Sequence, residues 1–131
     1  MALQRILVTG GAGFIGSSLC ERLIEEGHTV LAYDSLFRGM KSNLASIEGN
    51  SRFHFMQGDV RDVDRLDDAL EVLGGVDIVF HLAAVNGTKW FHEAAHSVID
   101  VNINGTLRTL ELAMSCEARY VLASSPEAFG E

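Results

Sequence analysis

One octapeptide, Thr9-Gly10-Gly11-Ala12-Gly13-Phe14-Ile15-Gly16, constrains this chain more than any other stretch. It follows a short β-branched apolar run, Arg5–Thr9, that reads as a buried strand. It precedes a segment with apolar residues at Phe14, Ile15, Leu19, Leu23 and Ile24, which is helical spacing, with Gly27 as a natural stop. A glycine turn between a strand and a helix exposes the helix N-terminus, with its free N–H groups and partial positive charge. Gly10 permits the tight turn. Gly13 removes the side chain that would keep a diphosphate off the backbone, and Gly16 lets the helix pack closely on the sheet.

The next β-branched run, residues 29–33, ends at Asp34, which lies 18 residues beyond Gly16. An acid at that interval can accept hydrogen bonds from both adenosine ribose hydroxyls, so the loop reads as a dinucleotide site. A 2′-phosphate would meet the Asp34 carboxylate, so NAD is expected over NADP. Arg38 stands close enough to soften that preference.

The alternation continues. Residues 35–51 read as loop with a short helix. Strands are expected at 52–56, 76–80 and 119–123, and a helix capped by Asp62 at 63–73, stopped by Gly74-Gly75. A long helix at 97–116 is weakened near Asn104-Gly105, and 87–95 gives no clear signal. Alternating strands and helices predict an α/β fold, a doubly wound parallel sheet in order 3-2-1-4-5, truncated after the fifth strand. Residues 1–131 are then one incomplete nucleotide-binding domain, with the substrate domain absent.

Ten Lys and Arg against eighteen Asp and Glu give a net charge of −8, which argues against nucleic-acid partners. The first apolar run is cut off by glycines and is too short for a signal core or a membrane span. Cys20 and Cys116 read as reduced core residues, and a cytoplasmic setting is expected. The five histidines include one i,i+4 pair, His92 and His96, without a carboxylate in the pattern of a helical zinc site, so no metal is expected.

Further ordered motifs accompany the glycine loop. They are Asp34-Ser35-Leu36-Phe37-Arg38-Gly39, Gly58-Asp59-Val60-Arg61-Asp62 and His81-Leu82-Ala83-Ala84, followed by Asn102-Ile103-Asn104-Gly105-Thr106 and Ser124-Ser125-Pro126-Glu127-Ala128-Phe129-Gly130. Together they resemble the N-terminal half of extended short-chain dehydrogenases/reductases, the NAD-dependent sugar-nucleotide epimerase/dehydratase family. The resemblance covers essentially the whole chain. It implies that Gly10, Gly13, Phe14, Ile15 and Gly16 surround the diphosphate, and that Asp34 and Ser35 hold the ribose. Asp59 and Val60 would hold the adenine, with Leu82, Ala83, Ala84 and Ser124 beside the nicotinamide. Ser125 takes the position of the catalytic hydroxyl. His81 alone reads as a hydrogen-bonded core histidine.

In this family a tyrosinate takes a proton from a sugar hydroxyl while the nicotinamide takes the hydride, and a lysine four residues on lowers the phenol's pKa. Here Tyr33 is followed four residues later by Phe37, and Tyr120 by Ser124. Neither heads a Y-x-x-x-K motif. The resemblance therefore implies an NAD-dependent nucleotide-sugar epimerase or dehydratase, with 4-epimerisation the first choice, represented by an N-terminal portion lacking that pair. The alternative is an inactive NAD-binding fragment with a regulatory or interaction role. Val85-Asn86-Gly87-Thr88-Lys89-Trp90-Phe91 is expected near the sugar. A nucleotide sugar is the expected partner of the full-length parent, and a homodimer through the long helix is the expected assembly.

Overall fold

The computed structural model describes residues 2–130. Five strands, β1 (Arg5–Thr9), β2 (Thr29–Asp34), β3 (Phe53–Gln57), β4 (Ile78–His81) and β5 (Arg119–Leu122), form one parallel sheet in order β3-β2-β1-β4-β5. That is the expected doubly wound order. The helices are α1 (Phe14–Glu25), α2 (Val63–Leu73), α3 (Thr88–Glu93) and α4 (Ala95–Ser115), with short 3-10 turns at Lys41–Leu44 and Pro126–Phe129.

The pleat explains why the central strands are apolar without alternation. Leu7, Leu31 and Val79 stand in register and face one layer, with Leu66 and Ala69 of α2 and Leu112 of α4. Ile6, Val8, Val30 and Ala32 face the other, against Cys20, Leu23 and Ile24 of α1. Both faces of β1 are covered, so each of its apolar side chains contributes roughly 1.5–3 kcal/mol by burial. Burial also pushes the Cys20 thiol up to about 12, which keeps it away from thiolate chemistry at neutral pH.

The helix ends are built in two ways. At α2 the Asp62 carboxylate accepts from the Arg65 N–H at 3.1 Å, and Gly74, in the left-handed region at φ 70°, closes the other end. At α1 the capping residue is Gly13, which has no side chain to offer. The N–H groups of Phe14, Ile15 and Gly16 precede the first helical bond, which Ser17 makes to the Gly13 carbonyl at 3.0 Å.

Three local expectations change. Gly16 does not pack on the sheet: an added Cβ would overlap the Gly10 carbonyl, inside the loop itself. Gly11 makes the sheet contact instead, where a Cβ would sit 2.7 Å from Ala32 Cβ. Asn104-Gly105 does not weaken α4, because the missing side chain at Gly105 admits Val60 against the helix. The stretch without a clear signal carries α3, which buries none of its residues.

Candidate nucleotide-binding site

The loops that follow β1, β2, β3 and β4 all leave the same edge of the sheet and enclose a cleft of about 580 Å³. A crevice at the carboxyl edge, where the strand order reverses about β1, is the ligand position of a doubly wound sheet. Gly10 and Gly13 form its floor, Asp34, Ser35, Asp59 and Val60 one wall, and Leu82, Ala83 and Ala84 the other. Of the expected site residues, these nine come together around one space.

Gly10 adopts φ 68°, and a Cβ there would stand 2.9 Å from the Ala83 N, so the loop is seated directly on the end of β4. Gly13 differs. Its backbone is extended, and an added Cβ would touch only the Gly10 carbonyl, at 3.2 Å. Space beside Gly13 is therefore cleft rather than core. Phe14 and Ile15 turn their side chains to solvent and bring only backbone to the site.

Asp34 is buried. Its Oδ2 accepts from the Ala12 N–H at 2.9 Å and its Oδ1 from the Leu36 N–H at 2.8 Å. These bonds aim the carboxylate and leave further lone pairs for hydroxyl donors. Gly39 makes room for it, since a Cβ there would lie 2.8 Å from Oδ2. Ser35 is exposed, and its Oγ accepts from the Phe37 N–H at 3.3 Å.

Asp59 is already engaged. Its Oδ1 accepts from the Arg61 N–H at 2.8 Å and from Nε at 2.9 Å, and its Oδ2 from Nη2 at 2.6 Å. The Arg61 side chain holds this carboxyl below the usual carboxylate range. Arg61 Nη1 also donates to Asp100 Oδ2 at 2.6 Å, which ties this wall to α4. Val60 is buried against Gly105.

The opposite wall is held by Thr9, His81, Thr106 and Asn102, of which the sequence had assigned only His81, as a hydrogen-bonded core histidine. Thr9 Oγ1 accepts from the Leu82 and Ala83 N–H groups, each at 3.2 Å, and lies 2.7 Å from His81 Nδ1. Having accepted twice, the hydroxyl donates its proton to Nδ1. His81 Nε2 then carries the ring proton toward Thr106 Oγ1 at 3.3 Å, and that hydroxyl donates to the Asn102 carbonyl at 2.7 Å. The network assigns one neutral tautomer, and burial pulls the His81 pKa down to about 4. The Asn102 amide clamps Val85 at both ends: its Oδ1 accepts from the Val85 N–H at 2.8 Å and its Nδ2 donates to the Val85 carbonyl at 3.1 Å. The available signal was Asn102 and Thr106 at i,i+4 on one helix, opposite a strand-end histidine.

Ser124 and Ser125 follow β5 at the same edge, are exposed, and do not line the cleft. Among the described residues no three His, Cys, Asp or Glu side chains converge as metal ligands. None of the described helices is long and apolar enough to cross a membrane.

Residues 6–131 match the model of the NAD dependent epimerase/dehydratase family. The chain belongs to that family. NAD is the family's cofactor, and the expectation drawn from the ordered motifs holds. The chain is 37% identical over 127 residues to UDP-glucuronic acid decarboxylase 1 of Arabidopsis thaliana, covering 97% of this chain and 27% of that protein. It is 38% identical over 122 residues to UDP-glucose 4-epimerase of Mycolicibacterium smegmatis, covering 93% and 38% respectively. Among solved structures, UDP-glucose-4-epimerase of Stenotrophomonas maltophila with bound NAD and formylated UDP-arabinopyranose superposes with a TM-score of 0.84. The two are 31% identical, over 97% of this chain and 38% of that one. The family member described here thus spans well under half the length of these relatives.

Proposed function

We propose that this chain is the NAD-binding part of an enzyme that oxidises and re-reduces a nucleotide sugar, with 4-epimerisation the first choice of reaction. By itself it binds NAD without turning over sugar. The observation that carries the reading is the glycine floor: a helix N-terminus without a side-chain cap, opening on a cleft that a Cβ at Gly13 would enter.

The residues fit the cofactor. Gly10, Gly13 and the N–H groups of Phe14, Ile15 and Gly16 would hold the diphosphate. Asp34 and Ser35 would take the adenosine ribose, and Asp59 and Val60 the adenine. Leu82, Ala83 and Ala84, which line the cleft, would flank the nicotinamide, and from the exposed strand end beyond that lining Ser124 would reach the nicotinamide side and Ser125 would orient the substrate oxygen. When bound, NAD supplies a reversible hydride acceptor. The chain must then move a proton at the sugar hydroxyl, and that needs a phenol or other base titrating near neutral pH. Its two tyrosines are unsuited. Tyr33 OH is buried and donates to the Asp59 carbonyl at 2.6 Å, and Tyr120 OH pairs with Thr109 Oγ1 at 2.9 Å. Burial pushes both phenols up, away from the operating range.

Calorimetric titration of the purified chain with NAD and NADP tests the binding half, and incubation with UDP-glucose and UDP-glucuronic acid tests the rest. NAD binding in preference to NADP, without sugar turnover, is the expected result. Tighter NADP binding would overturn the role of Asp34. Turnover by a chain of verified intact mass would show that the proton-transfer residues lie among these 131.

A further inference from the structure

We infer that Arg38 is a diphosphate-binding residue, held over the glycine loop by a strap of Phe37, Asn86 and Trp90. This deepens the nucleotide-binding reading above and rests on it. The sheet order places β1, and the glycine loop that leaves it, between β2 and β4. Segments following β2 and β4 therefore flank the glycine loop on either side, and two contacts join them. Arg38 Nη1 donates to the Asn86 carbonyl at 2.8 Å, across 48 positions of sequence. The rings of Phe37 and Trp90 meet with centroids 4.9 Å apart and planes tilted by 60°, a favourable aromatic arrangement. Phe37, Arg38 and Trp90 all line the cleft together with Gly10 and Gly13.

Charge singles out Arg38. Two cations line the cleft, Arg38 and Arg61. Arg61 is consumed by Asp59 and Asp100. Asp34, the nearest carboxylate in sequence to Arg38, is bonded by backbone N–H groups instead. Among the described residues Arg38 makes no ion pair. A guanidinium has five N–H donors, and the bond to Asn86 uses one of them. The rest of its planar fork matches a pair of phosphate oxygens. In a chain of net charge −8, a doubly anionic ligand gains most from one unpaired cation over the loop that seats it. The bond to Asn86 joins the segment after β2 to the segment after β4, on either side of the glycine loop, while Asp34 takes its bonds from backbone N–H groups. That assigns Arg38 to the diphosphate rather than to a 2′-phosphate.

Titrations of NAD, ADP, adenosine and NADP into the wild-type chain, Arg38→Gln, Arg38→Lys and Phe37→Ala decide it. Arg38 is exposed, so its variants should keep the wild-type circular dichroism spectrum. Arg38→Gln should weaken NAD and ADP on the order of ten- to a hundredfold, the loss of a charged hydrogen bond, and leave adenosine unchanged. Arg38→Lys should recover part of the loss. Phe37→Ala should weaken ADP by a smaller factor through loss of the ring pair. Unchanged ADP affinity in Arg38→Gln, an equal loss for adenosine, or a loss confined to NADP would each overturn the assignment, and unchanged ADP affinity in Phe37→Ala would remove the strap. If the wild-type chain binds neither NAD nor ADP, the nucleotide reading itself falls.

Discussion

At Gly13 an added Cβ would meet only the Gly10 carbonyl, at 3.2 Å, on the side open to the cleft, and the extended backbone there accepts any residue. Gly13→Val should therefore fold normally and lose NAD binding below detection by calorimetry. Gly16→Ala is its counterpart: the methyl group would meet the Gly10 carbonyl, a backbone atom that cannot give way, at a cost of about 1–3 kcal/mol in stability. His81 makes a pH prediction. Its folded-state pKa of about 4 lies below the ordinary 6.5, so the unfolded chain binds more protons between these values. Stability is fully present above pH 6.5 and falls as the pH drops toward 4, by up to about 3 kcal/mol. Denaturant midpoints should be lower at pH 5 than at pH 7.5. His81→Asn, which cannot titrate, should flatten that dependence, and equal slopes in the two proteins would refute it.

At the scale of elements, α4 organises the site from behind. Asn102 bonds both polar groups of Val85, and Thr106 continues the chain that begins at Thr9. Asn102→Ala should cost about 1–2 kcal/mol in urea unfolding, since it strands two half-buried backbone groups. A variant as stable as the wild type would show that solvent replaces the clamp. The helices also show how far local pattern carries. The caps of α2 at Asp62 and Gly74 were readable because they are satisfied by neighbours in sequence. Gly105 looked like a weak point because helix propensity takes no account of Val60, which comes from a loop 45 positions away and needs that missing side chain.

For the whole molecule, Ile99, Ile103 and Leu107 stand exposed four residues apart, one turn above another on α4, and Leu122 is exposed on the edge strand β5. We propose that this face associates with a second copy. Sedimentation should show a species larger than the monomer that Ile103→Asp abolishes without loss of helix content. A monomeric wild type would count against it.

The strand order and the glycine floor were legible in the sequence alone. The glycine floor and its acid follow from near neighbours, a strand, a tight turn, a helix start and an acid one strand on, and the strand order follows from strands alternating with helices joined by right-handed crossovers. The walls were not. That Thr9, His81, Thr106 and Asn102 form one hydrogen-bonded chain, and that Arg38 reaches Asn86 rather than Asp34, depends on which strand ends the sheet sets side by side. Apart from Thr106 to Asn102, one turn apart on the same helix, these pairings join residues 25 to 72 positions apart. No local pattern encodes them, because a hydrogen bond across the sheet edge exists only once packing has chosen its partners.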